Sequence, residues 1–246
     1  MKITIIIPNY NEEGHIESTI LLLEDMIVKS PKYDFSILVF DSNSNDRTPQ
    51  IVKALQQQFK NITLIGEEQK SGLGSAYVKA MKYVIKNTDA DIVFEFDADG
   101  SHQPRYIPDM LAAIDQGSDV VMGSRYVKGG EISADWAWYR YAISALGNWI
   151  ARFFLTWKIK DITSGFRATK TSYLKKLSLD NLLSNNYAYK IQLFWELLQL
   201  GAKIQEVPIM FIDREHGISK FPKNNIVDSL RVVITLRLRK IAKFFS

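Results

Sequence analysis

The sequence predicts an α/β protein: a mostly parallel central sheet, Rossmann-like, with helices on both faces. Three observations carry this expectation. In the first half of the chain, short and nearly continuous apolar runs alternate with stretches of helical periodicity, which is the rhythm of βαβ units. Each apolar run then empties into a polar, turn-rich cluster. Finally, 246 residues with 46% hydrophobic and 24% charged side chains supply a sizeable core, as an ordinary globular domain does.

Taken in order, runs 3–7, 35–40, 62–65, 91–96 and 119–122 read as strands, because they are short and rich in β-branched or aromatic residues. Segments 16–28, 48–59, 76–86 and 105–113 read as the helices between them. In a parallel sheet built this way, "PNYNEE", "DSNSNDRT", "EEQKSGLGS" and "DADGSH" all fall at the carboxyl edge, where open α/β folds form their ligand crevice.

The second half differs. Segment 136–157 holds Trp136, Trp138, Trp149 and Trp157, four of the five tryptophans, with Arg140 and Arg152 among them. It fits either a pair of core helices or an amphipathic segment at a bilayer interface, where Trp sits well and Arg snorkels. The loop "DITSGFR" follows, then a helix over 188–200, a strand over 204–212, the loop "DREHGISKF" and a basic helix from about 224. No internal repeat or linker is visible. The expected organisation is one domain over 1–223, with interface helices near 136–157, and a basic amphipathic C-terminal helix over 224–246.

Composition narrows the function. No cysteine is present, so thiolate metal sites and cysteine nucleophiles are excluded. The net charge of +4 is concentrated late: from Leu230 onward there are Arg231, Arg237, Arg239, Lys240 and Lys243 and no acid. That tail suits an anionic membrane surface better than a base-reading groove. The opening "MKITIII" is too short for a secretory signal, and no run reaches the roughly 18 apolar residues of a membrane span. The expectation is a protein peripheral to the cytoplasmic face of a membrane.

Asp97 and Asp99 stand one residue apart at the end of a strand. The pair fits a turn, and equally a site for Mg²⁺ or Mn²⁺, which take oxygen ligands and often only one or two protein carboxylates. His102, in the same turn, reads as a solvated histidine. "KSGLGSA" fits a phosphate-facing helix N-terminus or a plain helix cap; Lys70 precedes its glycines, so it is not a Walker A loop. Arg125, Arg214 and Lys220 offer cations for an anionic substrate, and Arg140 and Ser144, four apart, share a helix face.

These stretches together resemble the dolichol- or polyprenyl-phosphate mannose synthases, inverting glycosyltransferases of the GT-A fold. The resemblance runs in order through "PNYNE", "DSNSNDRT", "GLGSA", "DADGSHQP", "GSRYVKGG", "WYRYAISALGN", "DITSGFR" and "EVPIMFIDREHGISKF". It implies that Pro8, Tyr10, Glu12, Val39 and Asp41 hold the nucleoside of GDP-mannose, that Ala98 and Asp99 line the diphosphate, and that Asp97 and Asp99 bind the metal. It also implies that Arg125, Arg140 and Ser144 receive the phosphate of a polyprenol or dolichol, and that Arg214 and Lys220 close over the donor. Three positions depart from the family pattern: Ser42 replaces a second acid, Ser101 stands where some members have Gln, and Gln192 stands where a carboxylate is expected. Some members carry C-terminal membrane spans, so here the basic helix or a membrane partner subunit must bring the enzyme to its lipid.

The implied chemistry is a single in-line displacement by an acceptor phosphate, giving a β-linked mannosyl phosphate lipid. A phosphate monoester, with its second pKa near 6, is already mostly dianionic at neutral pH and needs no general base. Two alternatives stay open: transfer from a UDP-sugar to undecaprenyl phosphate, and a non-catalytic nucleotide- or lipid-binding module. Nucleic acid is not expected as a partner, because acids gather where its groove would lie.

Overall fold

The structure is a computed structural model and describes residues 1–133, 136, 138–212 and 224–245. Arg214 and Lys220 lie outside the described residues.

Strands β1 (Lys2–Asn9), β2 (Asp34–Asp41), β3 (Ile62–Gly66), β4 (Ile92–Glu95) and β5 (Val120–Ser124) alternate with helices α1 (Ile16–Val28), α2 (Thr48–Gln58), α3 (Leu73–Asn87) and α4 (Ile107–Asp115), as the sequence predicts. Then come the short strand β6 (Glu131–Ile132), helix α5 (Trp138–Phe154), β7 (Arg167–Lys170), the one-turn helix α6 (Thr171–Leu174), α7 (Tyr189–Gln199), β8 (Ile204–Pro208), β9 (Met210–Phe211) and α8 (Asn224–Phe245).

The main sheet runs β3-β2-β1-β4-β7-β5-β8, and β6 pairs with β9 apart from it. β1 is parallel to both neighbours, with Ile5 opposite Ile37 on one side and Phe94 on the other. Successive residues of a strand serve opposite faces. Ile5, Ile7, Ile37 and Val39 pack with α1, α2 and α4 residues such as Ile20, Val52 and Leu111. Ile6, Leu38 and Phe40 pack on the other face with Tyr77, Phe194 and Val232. A strand covered on both sides is apolar at nearly every position, so these runs stand out in the sequence.

Two expectations are corrected. The stretch ending "DITSGFR", read as a loop, passes into β7, which lies antiparallel between β4 and β5. The predicted strand over 204–212 is two strands: β8 continues the main sheet beside β5, while β9 leaves it to pair with β6. Pro208 closes β8, and because β8 is an edge strand its missing N–H costs the sheet no ladder bond.

Segment 136–157 is one helix and its flanks rather than a core helix pair. Tyr139, Ile143, Leu146, Trp149 and Phe153 of α5 are exposed at spacings that form one stripe, and Trp138 is 81% exposed. α8 runs beside α5, and Phe153, Phe154, Ile234, Arg237, Leu238 and Ile241 line a groove of ≈ 390 Å³ between them. Among the described residues no helix is long and apolar enough to cross a membrane.

Candidate active site

The strand ends meet as the topology requires. The loop after β1 and the loop after β2 are tied to each other: Asn9 Nδ2 donates to Asp41 Oδ1 at 2.7 Å, Asn11 N–H donates to Ser44 Oγ at 2.9 Å, and Asn45 N–H donates to Asn11 Oδ1 at 2.9 Å. Asn11 and Asn43 adopt positive φ, 56° and 61°, a left-handed conformation that Asn tolerates better than most residues. These loops open onto a cavity of ≈ 370 Å³. Pro8, Tyr10, Glu12, Asp97, Ala98 and Asp99 line it, joined by Lys70 from the loop before α3, Asn186 and Tyr187 before α7, and Asn225 from α8.

Not every residue assigned to the nucleoside lines this cavity. Ser42 does so. The Asp41 carboxylate is held inside its own loop, accepting from Ser44 Oγ at 2.6 Å and from Ser44 N–H at 3.0 Å. The Val39 side chain is wholly buried in the core.

Asp97 and Asp99 follow β4 and sit at the bottom of the cavity. Tyr77 donates its hydroxyl to Asp97 Oδ1 at 2.8 Å. Burial first, and the negative charge of Asp97 second, push the Tyr77 phenol well above its ordinary pKa, so it stays protonated and acts as a donor. Asp99 Oδ1 accepts from the Ser101 hydroxyl at 2.6 Å and from Ser101 N–H at 3.1 Å. Gly100 closes the turn at φ +77°, where a side chain would be strained.

His102 was expected to be solvated and is buried instead. It stacks on Phe166 at 4.9 Å. Its Nδ1 accepts the Asp97 N–H at 2.9 Å, and its Nε2 lies 3.7 Å from Asp97 Oδ2. Burial is the main cause that lowers its pKa. A neutral ring accepting at Nδ1 carries its proton on Nε2, toward Asp97. His102 is therefore a brace for the D-x-D turn.

A buried polar layer underlies the turn. Arg167 Nε donates to Glu95 Oε2 at 2.5 Å, and Tyr189 donates to Glu95 Oε1 at 2.8 Å. The Tyr189 ring stacks on Tyr77 at 5.4 Å. In "KSGLGSA" the Gly74 and Ser75 N–H groups both donate to Asn185 O, at 2.8 and 3.2 Å, while Lys70, Gly72, Leu73 and Ala76 line the cavity. Gly72 must be glycine there, because its φ is +106° and a Cβ would meet Asn185 O at 2.4 Å.

The second group of predicted residues is brought together beside the cavity, not on its wall. Ser144 Oγ is 3.1 Å from the Tyr126 hydroxyl. The Arg140 guanidinium lies 4.8 Å from the Trp136 ring. Trp136 meets Phe211 at 5.5 Å, and Phe211 in turn meets the Arg125 guanidinium at 5.5 Å and His102 at 6.4 Å. One aromatic step thus separates this basic cluster from the D-x-D turn. Arg125 is also committed to Asp161, which sequence reasoning quoted within "DITSGFR" without assigning it a part. Gln192, where a carboxylate was expected, braces the chain before α7, accepting Leu183 N–H at 2.6 Å and donating to Asn181 O at 3.2 Å.

Among the described residues two buried polar atoms on the cavity wall lack a protein partner, Asn9 Oδ1 and Asn225 Nδ2. An acceptor and a donor left unpaired at a cavity wall suit a polar ligand. Asn225 gave no signal in the sequence, because an Asn opening a helix reads as a cap.

Comparison with known proteins identifies the family. The family model described as "Glycosyl transferase family 2" matches residues 4–178. A curated relative named polyprenol monophosphomannose synthase, from Mycolicibacterium smegmatis, is 35% identical over 227 residues, 92% of this chain and 83% of that protein. Another, named undecaprenyl-phosphate mannosyltransferase, from Micrococcus luteus, is 34% identical over 220 residues, 89% of this chain and 87% of that protein. Among solved structures, glucosyl-3-phosphoglycerate synthase from Mycobacterium tuberculosis, in complex with Mn²⁺, UDP and glucosyl-3-phosphoglycerate, aligns with a TM-score of 0.65 at 21% identity, over 97% of this chain and 79% of that one. Mannosyl-3-phosphoglycerate synthase from Rubrobacter xylanophilus aligns with a TM-score of 0.67 at 16% identity, over 99% and 74%. At these identities the two structures speak for the fold alone. The chain belongs to glycosyl transferase family 2 and is a glycosyltransferase of the GT-A fold.

Proposed function

We propose that this enzyme transfers mannose from GDP-mannose to the phosphate of a polyprenol or dolichol at a membrane surface, with inversion at the anomeric carbon. The observation that carries the reading is that Pro8, Tyr10, Glu12, Asp97, Ala98 and Asp99, six positions assigned by resemblance to the donor or its metal, line one cavity at the carboxyl edge of the sheet. The curated relatives' names supply the lipid phosphate and the mannose.

The donor set fits Mg²⁺ or Mn²⁺. Two carboxylates and the Ser101 hydroxyl gather in one turn, all hard oxygen donors. Asp97 and Asp99 would hold the ion, and when bound it supplies positive charge to the leaving nucleoside diphosphate. The protein's own residues do the rest. Tyr77 and His102 fix the Asp97 carboxylate. The basic cluster of Arg125, Arg140 and Ser144 orients the acceptor phosphate for attack on the sugar. By resemblance, Arg214 and Lys220 would supply further positive charge to the donor diphosphate. No protein base is needed, since the acceptor is already ionised.

Access to the lipid falls to α5 and α8. Their exposed apolar stripes run side by side, flanked by cations: Arg152 lies 4.9 Å from the Trp157 ring and Arg237 borders the groove. Such a face suits a bilayer with anionic headgroups on the cytoplasmic side.

The test is transfer of labelled mannose from GDP-mannose to polyprenyl phosphate in detergent, with Mg²⁺ and with EDTA. Metal-dependent, lipid-linked label with a β linkage is expected. An α-linked product overturns the single displacement. Label only from UDP-sugars overturns the donor, and donor binding without any transfer favours a binding module or a requirement for a membrane subunit.

A further inference from the structure

Lys190, in the first turn of α7, is a buried cation at the D-x-D turn that the mechanism above leaves unused. Its side chain is 8% exposed, and its Nζ lies 3.7 Å from Asp97 Oδ2. The Tyr187 ring lies 5.3 Å from the ammonium on another side. Space for the ammonium comes from Gly165: a Cβ at that position would stand 2.2 Å from Nζ and 2.9 Å from Cε. The chain thus omits a side chain at residue 165 where the lysine reaches Asp97.

The charges around the turn give the lysine a specific consequence. Glu95 is already paired with Arg167, and the His102 Nδ1 is taken up by the Asp97 N–H. Of the acids at the turn, Asp97 and Asp99 are the two that face the cavity, and Lys190 lies against one of them. A fixed positive charge beside a carboxylate makes that carboxylate a poorer ligand for a second cation, and in a partly desolvated site the repulsion is felt strongly.

We infer that Lys190 is a resident counter-cation of the D-x-D turn, a positioning residue that holds Asp97 in place and competes with the divalent ion for it. The inference rests on the proposed metal role of Asp97 and Asp99. Its consequence is a site that binds a free divalent ion weakly and stays pre-organised without one.

The test is Mn²⁺ titration without nucleotide, followed by the EPR signal of free Mn²⁺, on the wild-type protein, Lys190→Met, Gly165→Ala, Asp99→Ala and the double variant Lys190→Met/Asp99→Ala. Circular dichroism establishes that each is folded. Lys190→Met is expected to bind Mn²⁺ about tenfold more tightly than wild type. Gly165→Ala keeps the lysine but displaces its ammonium, and is expected to shift affinity in the same direction. The double variant is expected to lose the gain. Mn²⁺ affinity unchanged in both Lys190→Met and Gly165→Ala, while Asp99→Ala alone weakens it, overturns the role of Lys190 and leaves the metal site standing. Equal binding by Lys190→Met and the double variant overturns the metal site itself, and the inference with it.

Discussion

Arg125 and Asp161 form a buried two-pronged ion pair: Nε donates to Oδ2 at 2.7 Å and Nη2 to Oδ1 at 2.8 Å, while the Arg125 N–H also donates to Oδ2 at 3.1 Å. Burial alone disfavours the guanidinium charge, but Asp161 outweighs it and holds the Arg125 pKa above the ordinary arginine value. Removing one partner of such a pair strands the other charge. Asp161→Asn is therefore expected to lower the stability of the fold by about 3 kcal/mol, read as a shifted midpoint in urea unfolding. An unchanged midpoint means that the pair is not formed in solution.

Asp99 lines the cavity and ties the D-x-D turn through Ser101. Asp99→Ala is expected to reduce mannosyl transfer by a factor on the order of 100 or more, with the far-ultraviolet dichroism unchanged. Retained transfer removes Asp99 from the donor site.

Trp149 stacks on Phe153 at 5.6 Å and lies 6.3 Å from Trp157, all three exposed. Trp149→Glu places a charge in the middle of this stripe. Co-sedimentation with anionic vesicles is expected to fall about tenfold, while stability changes by no more than about 0.5 kcal/mol, as at other surface positions. Equal vesicle binding by the variant and wild type excludes α5 as the contact.

Asp119 links the start of β5 to the start of β8 and the end of β7. It accepts Lys203 N–H at 3.0 Å and Lys170 Nζ at 3.0 Å. Burial opposes its charge, yet these bonds prevail and its pKa is lowered. A carboxyl with a depressed folded pKa stabilises the protein above its unfolded value, near 3.9, and loses that contribution as the pH falls through the folded value. Asp119→Asn should cost about 1 kcal/mol at pH 7, and the difference from wild type should begin to shrink as the pH falls below about 4 and vanish only below the depressed folded value. A gap that persists at low pH assigns the effect to packing.

The first five strands and their helices are legible because burial on both faces keeps their interiors largely apolar, and the polar residues that follow mark the crevice. β7 is not. "RATK" has two cations in four residues, and Arg167 reads as a surface residue; it is buried only because Glu95, far away in sequence, neutralises it. The same reason hid His102 and Lys190. Each looks solvated in one dimension, and its partner, Asp97 or Phe166, is supplied by another element. Pro8 and Tyr10 were pointed to by the resemblance and Asp99 by the D-x-D pattern as well, and all three line the cavity. Asp161 and Asn225 were not, since their importance lies in what faces them.

β7 also bears on how the chain is made. It fills the gap between β4 and β5, yet it is synthesised after both, with α5 intervening. On a ribosome, β1 to β4 can pair as they emerge, whereas β5 has no neighbour until residues 167–170 arrive. A chain cut short between β5 and β7 carries an apolar strand with an open edge, a hazard for aggregation. A cut after residue 130 therefore parts β5 from both of its sheet neighbours, β7 and β8, and leaves the first half with an unpaired apolar edge.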